Sequence, residues 1–460
     1  MRTARLFAVM ASLVMLFAPA TRAQTVTFVH AFNIANGQYP SFEILTQGRD
    51  GNLYGTTYQG GDFGQGTVFR QSSTGMSNLV LHSFNGSDGA NPISGLTLAR
   101  DGNFYGTTVQ GGVFNWGALY RISPNGVFTV LYSFTGGADS GFPEAAPILA
   151  SDGNLYGTTA GFSPDVFPTV YKFSTSGGLS TIYTFSSATD QPTASAVQAL
   201  NGQLYVAAQR GGPSNCGSIT ALTTAGVVKG TFNFSCNSGG QEPVGALTLA
   251  SDGNLYGTTG LGGTYGKGTI FKFNATARAI TYLYSFGATS KDGTIPEGTL
   301  TQGIDGNLYG STADGGANNS GTLFKASLTG QYSQLYGFAK AYINSITSGL
   351  DQHTSGIFYG TAGAGGPSNA GAVFTVNMSL GPFVTFVQPT GRVGQTAQIL
   401  GQGLTGTTGV TFNGIAATSF KVVNDTYVTA VVPSGATTGK VVVTTPGGTL
   451  TSNVNFRILQ

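Results

Sequence analysis

The stretch that decides the fold is Asp50-Gly51-Asn52-Leu53-Tyr54-Gly55-Thr56-Thr57, because nearly the same residues return throughout the chain. Close copies begin at Asp101, Asp152, Asp252 and Asp305, and weaker copies begin at Asn201 and Ser355. The copies are separated by steps of 51, 51, 49, 51, 53 and 50 residues. A fixed period near fifty residues is typical of repeat architectures, in which each unit is one supersecondary element.

Each repeat unit contains four short segments with strand character. In the second unit these are residues 93–99, 103–108, 117–122 and 128–134. Asp101-Gly102 separates the first two as a tight hairpin signal, and turns rich in Gly, Asn or Pro separate the others. Four strands per unit, repeated in series, are typical of the blades of a β-propeller. We therefore predict an all-β fold with a seven-bladed β-propeller.

The position of the fourth strand in the repeat makes this prediction sharper. Six copies follow a hairpin: Leu81-His82-Ser83-Phe84, Leu131-Tyr132-Ser133-Phe134, Ile182-Tyr183-Thr184-Phe185, Thr231-Phe232-Asn233-Phe234, Leu283-Tyr284-Ser285-Phe286 and Leu335-Tyr336-Gly337-Phe338. The seventh copy, Val29-His30-Ala31-Phe32, precedes the first hairpin, whereas the last unit ends at residues 374–377 without a fourth strand. We therefore predict that the N-terminal strand closes the last blade and removes an exposed sheet edge. An open solenoid is the alternative, although it has no need of the early strand.

Proline marks the loop that follows the fourth strand in most units. Pro40, Pro92, Pro143, Pro192, Pro243 and Pro296 stand nine or ten residues before a hairpin, and unit seven has Tyr342-Ile343-Asn344 instead. The fixed φ of proline sets the backbone where the chain returns from the outer strand to the inner one. With the usual wiring of a propeller, these loops and the Gly-rich loops share the top face, and the Asp-Gly hairpins lie on the bottom face.

Residues 1–23 have the pattern of a secretory signal peptide. Arg2 and Arg5 form a charged start, residues 6–17 an apolar core, and Thr21-Arg22-Ala23 a small-residue cleavage site. The alternative is an N-terminal membrane anchor, but the apolar run is short for a membrane span. We expect a secreted, cell-surface or periplasmic bacterial protein that starts near Gln24 and has no transmembrane segment after cleavage.

The charge balance excludes some classes of partner. The formal net charge is +2 for the whole chain, and removal of Arg2, Arg5 and Arg22 with the signal peptide brings it to −1. A near-neutral chain lacks the basic surface that nucleic acids and anionic lipids require. Charged residues make up 8% of the chain, against about 25% in ordinary soluble domains. Its surface is therefore predicted to consist largely of uncharged polar residues.

The two cysteines, Cys216 and Cys236, lie within one repeat. One is at the start of a strand and the other just past the end of the next, so antiparallel pairing brings them together. In an exported protein they are expected to form a disulfide, which would stabilise the fold by roughly 3 kcal/mol. The alternative is two free buried thiols. With 3 histidines in the chain, neither a metal site nor another cofactor is expected.

The repeat resembles a known family of tandem repeats. The order D-G-N-L-Y-G-T-T, G-G, G-T-V-F and L-Y-S-F, carried most fully by residues 50–69, 252–271 and 305–324, is similar to the GloVer repeat of exported bacterial proteins. The resemblance covers residues 24–378, the predicted propeller. It implies export and variable C-terminal attachments, and it implies no activity.

A different pattern begins after Ser379. Residues 382–460 contain short alternating segments separated by turn signals, for example Gly409-Val410-Thr411-Phe412-Asn413-Gly414. This pattern indicates a small β-sandwich. The segment resembles the IPT/TIG immunoglobulin-like domain, which implies a spacer or an adhesive module. We therefore predict a second domain at residues 382–460.

Few residues carry a pattern typical of catalysis. His30 and His82 occupy the strand position of Tyr132 in a sister unit, and His353 is interpreted as an unpartnered loop residue. Neither a metalloprotease motif nor a nucleophile elbow occurs in the sequence. The repeated Asp of the hairpins is explained by turn chemistry, because Asp-Gly favours the turn and Asn201 replaces it in one unit.

Ligand binding is expected in the top-face loops, which differ most between units. Aromatic residues among amides and carboxylates suit carbohydrate or peptide surfaces, and simple solvation of these loops is the alternative. The candidate ligand-binding residues are Tyr58, Asp62, Phe63, Phe114, Trp116, Tyr265, Lys267 and Asp314, with Asp165, Asn318, Glu144, Glu242 and Glu297 as further candidates. The spacing does not single out any two of the glutamates as a catalytic pair.

The sequence therefore favours a secreted or cell-surface protein that binds a glycan or another protein without catalysis. A polysaccharide-active hydrolase or lyase on the same scaffold is a second hypothesis, and it requires carboxylates that converge at the top of the propeller. A purely structural envelope or matrix protein is a third. The oligomeric state stays open.

Overall fold

The computed structural model describes residues 25–40, 44–75, 77–161, 165–174, 176–187, 189–236, 239–339, 343–345 and 348–459. Every regular element within these ranges is a β-strand. None of the described residues belongs to a helix that is long and apolar enough to cross a membrane. The chain is therefore all-β, as the sequence predicts.

The repeat region forms antiparallel sheets that follow the repeat units one by one, and each sheet is numbered after its unit. Sheet 1 contains Thr46–Gln47, Leu53–Gln59, Thr67–Gln71 and Asn78–Ser83, with Gln38–Pro40 paired to Leu53–Gln59. Sheet 2 contains Thr97–Leu98, Phe104–Thr108, Ala118–Ile122 and Phe128–Ser133. Sheet 3 contains Ile148–Leu149, Leu155–Thr159, Thr169–Ser174 and Gly178–Thr184.

The remaining units repeat this order. Sheet 4 contains Val197–Gln198, Leu204–Ala208, Ser218–Leu222 and Val228–Asn233. Sheet 5 contains Thr248–Leu249, Leu255–Gly262, Thr269–Asn274 and Ala279–Ser285, with Gly240–Pro243 paired to Leu255–Gly262. Sheet 6 contains Thr301–Gln302, Leu308–Thr312, Thr322–Ala326 and Tyr332–Gly337. Sheet 7 contains Leu350–Gln352, Phe358–Ala362, Ala372–Asn377 and the N-terminal strand Thr25–Ala31.

Shorter pairs and the C-terminal segment complete the set of strands. Gly293–Thr294 pairs with Asp314–Gly315, and Ile343–Ser345 pairs with Ala364–Gly365. The C-terminal segment has one sheet of Thr385–Phe386, Thr396–Leu400, Tyr427–Val431 and Phe420–Asn424. A second sheet contains Ile415–Ala416, Gly409–Phe412, Val441–Thr445 and Gly448–Thr451, and Thr390–Gly391 pairs in parallel with Arg457–Ile458. These sheets enclose one apolar core around Val384, Ile399, Phe412, Val428 and Phe456.

The N-terminal strand belongs to the last sheet of the repeat region. It runs antiparallel to Ala372–Asn377, with Thr25 opposite Asn377 and Ala31 opposite Ala372. Phe32, which follows it, donates its backbone N–H to the carbonyl of Gly371 at 2.9 Å. The equivalent phenylalanines of the other six units make the same bond over 2.9–3.0 Å, and all seven are buried. The early strand therefore takes the structural position of the missing fourth strand.

Each sheet packs on the next, and the series of contacts returns from sheet 7 to sheet 1. Phe32, Tyr359 and Val373 of sheet 7 share an apolar cluster with Leu45 and Phe69 of sheet 1. Each of the six remaining pairs of successive sheets also shares an apolar cluster among the described residues. Thr hydroxyls reinforce these contacts, since Thr107 donates to the carbonyl of Ala145 in the next sheet over 3.0 Å. Burial of these aromatic and aliphatic side chains is the main source of stability.

The repeated Asp residues act within their own hairpins. Asp252 accepts hydrogen bonds from the backbone N–H and side-chain amide of Asn254 and, over 2.7 Å, from the hydroxyl of Tyr256. The same three bonds occur at Asp50, Asp101, Asp152 and Asp305. Each Asp is engaged by its own turn, which favours the turn interpretation over an acidic ring.

A second set of acidic residues, which the sequence analysis did not single out, holds the loop after the fourth strand. Asp292 accepts hydrogen bonds from the hydroxyls of Tyr284 and Tyr332 and from the backbone of Gly287. Asp139 accepts from the hydroxyl of Tyr132 over 2.8 Å. The signal in the sequence is an Asp four to six residues after the Phe of the fourth strand in four units, at Asp88, Asp139, Asp190 and Asp292. Its role is to position the loops of the top face.

The C-terminal segment docks on the hairpin side of sheets 7, 1 and 2. The hydroxyl of Thr426 donates to the carbonyl of Arg49 over 2.7 Å, and the guanidinium of Arg49 lies 4.9 Å from the ring centre of Tyr427. The amide of Gln402 donates to Thr354 of unit 7 over 3.1 Å. The segment thus covers part of the face that carries the Asp-Gly turns, and it leaves the Gly-rich loops free.

Candidate functional site

The first strands of sheets 1 to 6 surround one cavity of about 400 Å³, called the central cavity below. Residues at one repeated position form its wall: Thr46, Thr97, Ile148, Val197, Thr248 and Thr301. Asn453 and Val454 of the C-terminal segment line its end on the hairpin side. A space shared by many sheets brings together side chains that are far apart in sequence.

A smaller cavity of about 220 Å³ adjoins the central cavity and is called the carboxylate cavity. Half of its lining residues directly follow the loop proline of successive units: Ile93, Glu144, Thr193, Val244 and Glu297. Because every sheet contributes the same backbone position, these side chains converge from several units. No residue of the C-terminal segment is among its lining residues. The docked segment therefore does not cover this cavity.

The two glutamates of this cavity have perturbed acidities. Burial raises the pKa of Glu144 to about 7. Burial, and then the negative charges of Asp314 and Glu242, raise the pKa of Glu297. Among the described residues, no basic side chain lines the cavity. Two carboxylates removed from water without a positive partner are costly, so a ligand that supplies hydrogen-bond donors would stabilise their charged form.

Glu242 differs from the other two glutamates although all three stand beside a loop proline. It precedes Pro243, whereas Glu144 and Glu297 follow their prolines. Its carboxylate lies 3.8 Å from the guanidinium Nε of Arg210, and it is not among the lining residues of the cavity. The order Pro-Glu against Glu-Pro is the sequence signal that separates the pair in the cavity from the third glutamate.

Three uncharged polar residues complete the carboxylate cavity, and the sequence analysis missed all three. Thr193 and Gln209 line it together with Thr299. The Thr193 hydroxyl is buried and has no hydrogen-bond partner among the described residues. An unsatisfied buried hydroxyl is unfavourable, so this atom is available to a ligand. Thr193 follows a proline as the glutamates do, and Gln209 carries no signal in the sequence.

The predicted loop residues lie outside this cavity and most of them face solvent. Phe63, Phe114 and Tyr265 occupy one position in three Gly-rich loops, and all three rings are exposed. Asp62 and Lys267 are also exposed on these loops. Exposed aromatic rings at repeated positions form a surface that can stack on a flat ligand. The further candidate Asp165 is exposed as well.

Three other candidates have structural contacts. Trp116 packs against Phe142 with ring centres 4.9 Å apart, and its ring also lies against Gly136 and Gly141. The backbone carbonyl of Tyr58 accepts a hydrogen bond from Asn91, and the side-chain amide of Asn318 donates to the carbonyl of Phe338. Asp314 influences the site only through its charge near Glu297.

One interpretation of a histidine was wrong. His353 is buried, and its Nε2 lies 2.9 Å from the carbonyl oxygen of Gly51 while its Nδ1 lies 2.8 Å from the hydroxyl of Ser355. Gly51 belongs to unit 1, so this histidine joins the last unit to the first. Contacts between units so distant in sequence cannot be seen in the local pattern. His82 is a strand residue as expected, and it pairs with Asp88 over 3.0 Å.

The structure joins Cys216 and Cys236 by a disulfide with Cα atoms 5.6 Å apart. The bond links the start of one strand to the end of its antiparallel neighbour, next to the pair Ser218 and Asn233. Within the described part of the chain, no group of three or more His, Cys, Asp or Glu residues is arranged to hold a metal ion.

Asp351 is a half-buried acid that the sequence does not mark. It holds the position of Thr46, Thr97, Thr248 and Thr301 in other sheets, and their hydroxyls donate to carbonyls of the next sheet. Asp351 lines a cavity of about 300 Å³ beside the central cavity. Its Oδ2 is buried without a hydrogen-bond partner among the described residues, and burial raises its pKa to about 7.

Substitution of Asp351 by Asn is expected to stabilise the protein at alkaline pH. The unfolded carboxyl ionises near pH 4 while the folded one stays protonated until about pH 7, so native stability falls as pH rises through this interval. Asn keeps the shape without the charge. The variant is therefore expected to gain roughly 2–4 kcal/mol at pH 8 and almost nothing at pH 4. Urea unfolding at both pH values measures this, with the exposed Asp62→Asn as control. An equal effect at both pH values would contradict the assignment.

Comparison with known proteins identifies the repeat. A family model for the Gloeobacter/Verrucomicrobia repeat matches residues 12–220 and 191–426. The chain belongs to this repeat family. The two matches together span most of the chain, so the Gloeobacter/Verrucomicrobia repeat accounts for the sheets that build both the central and the carboxylate cavities. No curated protein matches the chain.

Several solved structures share the fold at low sequence identity. A fungal alcohol oxidase in complex with copper matches with a TM-score of 0.53 and 11% identity, over 95% of this chain and 99% of that one. An oligogalacturonate lyase from Vibrio parahaemolyticus matches with a TM-score of 0.51 and 11% identity, over 78% and 94%. An extracellular domain from B. thetaiotaomicron matches with a TM-score of 0.50 and 11% identity, over 92% and 57%. These neighbours show that the Gloeobacter/Verrucomicrobia repeats form a propeller-like fold, and they carry no information about activity.

Proposed function

We propose that this chain is an exported, non-catalytic carbohydrate-binding protein whose ligand enters the carboxylate cavity. The observation that carries the proposal is the convergence of Glu144, Glu297, Thr193 and Gln209 on one cavity at the free face. Carboxylates accept hydrogen bonds from sugar hydroxyls, and an amide both donates and accepts. The cavity volume is about 220 Å³. Pockets that enclose a drug-sized ligand are larger, with volumes of about 300–1,000 Å³. The cavity would therefore take one sugar unit of a longer chain.

The exposed aromatic rings support a carbohydrate over other ligands. Phe63, Phe114 and Tyr265 lie on the same loops in three units, and flat apolar faces suit the apolar faces of sugar rings. The near-neutral charge of the chain after removal of residues 1–23 favours an uncharged polymer over a strongly charged one. In this proposal the aromatic rings hold neighbouring sugar units while the carboxylate cavity holds one.

The architecture that we propose has three parts. Residues 1–23 are a signal peptide that directs the chain out of the cytoplasm, to the cell surface, the medium or the periplasm. Residues 24–378 form a closed seven-bladed β-propeller, supported by the packing of sheet 7 on sheet 1 and by the pairing of Thr25–Ala31 with Ala372–Asn377. Residues 382–460 form an immunoglobulin-like domain of the IPT/TIG type, supported by two sheets around one core.

A glycan and peptide array probed with residues 24–460 tests the proposal. We expect binding to neutral glycans, and we expect Glu144→Gln with Glu297→Gln to weaken it by at least tenfold, because two charge-assisted hydrogen bonds are lost. Asp425→Asn, an exposed acid of the C-terminal segment outside the cavity, is the matched control and should bind as the native protein does. Peptide binding alone, or no binding at all, would refute carbohydrate recognition, and the latter would favour a structural role.

A specific observation keeps a second function open: burial raises the pKa of Glu144 to about 7. A general acid in glycoside hydrolysis requires a carboxyl that stays protonated near neutral pH, with a second carboxylate across the bond. Incubation of the glycans bound on the array with the native protein separates the two functions. Release of shorter sugars that stops in Glu144→Gln would establish catalysis, and intact glycans would favour binding alone.

A further inference from the structure

We propose a second ligand site, for a linear alkyl carboxylate, between the hairpin side of sheets 3 to 5 and the C-terminal segment. A cavity of about 320 Å³ lies there and is called the interface cavity. Its apolar wall includes Ile148, Leu149, Leu200, Leu249 and Val454. The proposal is independent of carbohydrate binding, because the two cavities have no lining residue in common.

The docking of the C-terminal segment explains why the cavity exists. Position 49 in unit 1 and its equivalent in unit 2 are arginines, and both hold the segment: Arg49 donates to Gln398 over 3.0 Å and Arg100 donates to the carbonyl of Thr390 over 3.4 Å. The equivalent residues in units 3, 4 and 5 are Ser151, Leu200 and Ser251. These shorter or apolar side chains line the cavity and leave a gap under the segment.

Unsatisfied polar atoms face this gap. Gln388 is 5% exposed, its amide nitrogen donates to the carbonyl of Ala150, and its Oε1 has no hydrogen-bond partner among the described residues. The hydroxyl of Thr390 is likewise buried without a partner in the described part of the chain. An apolar cavity with two polar atoms that lack hydrogen-bond partners among the described residues fits an amphipathic molecule better than a purely apolar one.

The charged residue that lines the interface cavity indicates the chemistry of the ligand's polar end. Arg457 is the basic residue of its lining, and no acidic residue is present there. Within the described residues the guanidinium of Arg457 takes part in none of the ion pairs. Arginine binds carboxylates in a bidentate manner. A carboxylate at Arg457, with the hydroxyl of Thr390 as a second donor, would satisfy both groups.

The volume of the interface cavity indicates the length of the ligand's apolar chain. The volume corresponds to roughly ten groups of the size of water, at about 30 Å³ each. The cavity shares Ile148, Ala196, Val197, Leu249 and Val454 with the central cavity, so a chain can extend toward the axis of the sheets. Leu200 is 52% exposed and stands at the rim. A linear chain of about ten carbons with one carboxylate therefore matches the site in length, polarity and charge.

Calorimetric titration of residues 24–460 with hexanoate, decanoate and decanol at pH 8 tests the proposal. Each buried methylene is expected to raise affinity by about three- to fourfold, so decanoate should bind about 100-fold more tightly than hexanoate. Decanol lacks the charge and should bind about tenfold more weakly than decanoate. A hydroxylated probe, 3-hydroxydecanoate, adds a donor for Gln388 and is expected to bind more tightly than decanoate.

Variants locate the binding. Arg457→Gln should weaken the binding of decanoate about tenfold and leave the affinity for decanol unchanged. Leu200→Glu should abolish the binding of both ligands, because it places a negative charge in the apolar wall of the cavity. Val227→Glu, an exposed position outside the cavity, is the control and should bind normally. Thermal unfolding checks that each variant is folded. Absence of decanoate binding, equal affinity of hexanoate and decanoate, or normal binding by Leu200→Glu would each overturn the proposal.

Discussion

A chain that lacks residues 25–32 is expected to lose most of its stability. The deletion removes the strand Thr25–Ala31 from sheet 7 and the buried ring of Phe32 from the contact with sheet 1. Loss of a buried phenylalanine alone costs about 3–5 kcal/mol, and the total stability of a domain is about 5–15 kcal/mol. The deletion also exposes the edge of Ala372–Asn377, which promotes aggregation. We therefore expect a lower and broader unfolding transition.

Chemical unfolding and light scattering of the truncated and full chains measure this effect. A synthetic peptide of residues 25–32 added in trans is expected to restore the transition, because it can pair again with the open edge. The same peptide with Phe32→Ala is the matched control and should fail to restore it. An unchanged unfolding midpoint in the truncated chain would show that the sheets do not depend on closure by this strand.

Substitution of Gly117 by Ala is expected to cost roughly 4 kcal/mol of unfolding free energy. Gly117 has a φ of +93°, and a Cβ there would lie 2.7 Å from the Cδ of Pro143 and closer still to the carbonyl oxygen of Thr108. Pro143 belongs to the next unit, so the methyl group would force two sheets apart. The equivalent glycine of the last unit, Gly371, meets Pro40 of the first in the same way.

Gly202 provides the matched control for this substitution. Its φ is +80°, and a Cβ there would meet no atom within 4 Å. Gly202→Ala therefore reports backbone strain alone, about 1–2 kcal/mol. The difference between the two variants in urea unfolding isolates the contact between sheets. If both variants lost the same stability, close packing of the glycine against the next unit would be unimportant.

The local elements of the fold could be predicted from the sequence because their causes are local. Asp101-Gly102 specifies a hairpin through bonds to Asn103 and Tyr105 within the same turn, and the second strand, Phe104–Thr108, differs from the predicted 103–108 by one residue. The first strand was predicted as residues 93–99 but contains only Thr97–Leu98. Residues 93–95 are apolar or small because they face cavities and neighbouring sheets. In the sequence alone, such a run of residues cannot be told from the start of a strand.

The candidate site was predictable only in part. The order Pro-Glu against Glu-Pro separates Glu144 and Glu297 from Glu242 in the sequence, but the packing of the sheets decides that these two share a cavity. Gln209 stands at a loop position whose residue type differs from unit to unit, yet it lines the same cavity as Glu144. His353 was interpreted as unpartnered because its acceptor, the carbonyl of Gly51, lies 302 residues away in the sequence. Such contacts arise from the order in which the sheets pack.

The sequence by itself determined the number, the period and the strand content of the units, because hairpin turns and alternation act over a few residues. It also predicted that the N-terminal strand completes the last unit, because that unit lacks a fourth strand of its own. Only the tertiary structure decided which side chains meet. Glu144 and Glu297 share a cavity, and the Oδ2 of Asp351 has no hydrogen-bond partner among the described residues, because sheets far apart in the chain surround a common space. The C-terminal segment covers part of the hairpin face through contacts between residues far apart in the sequence, which no local pattern encodes.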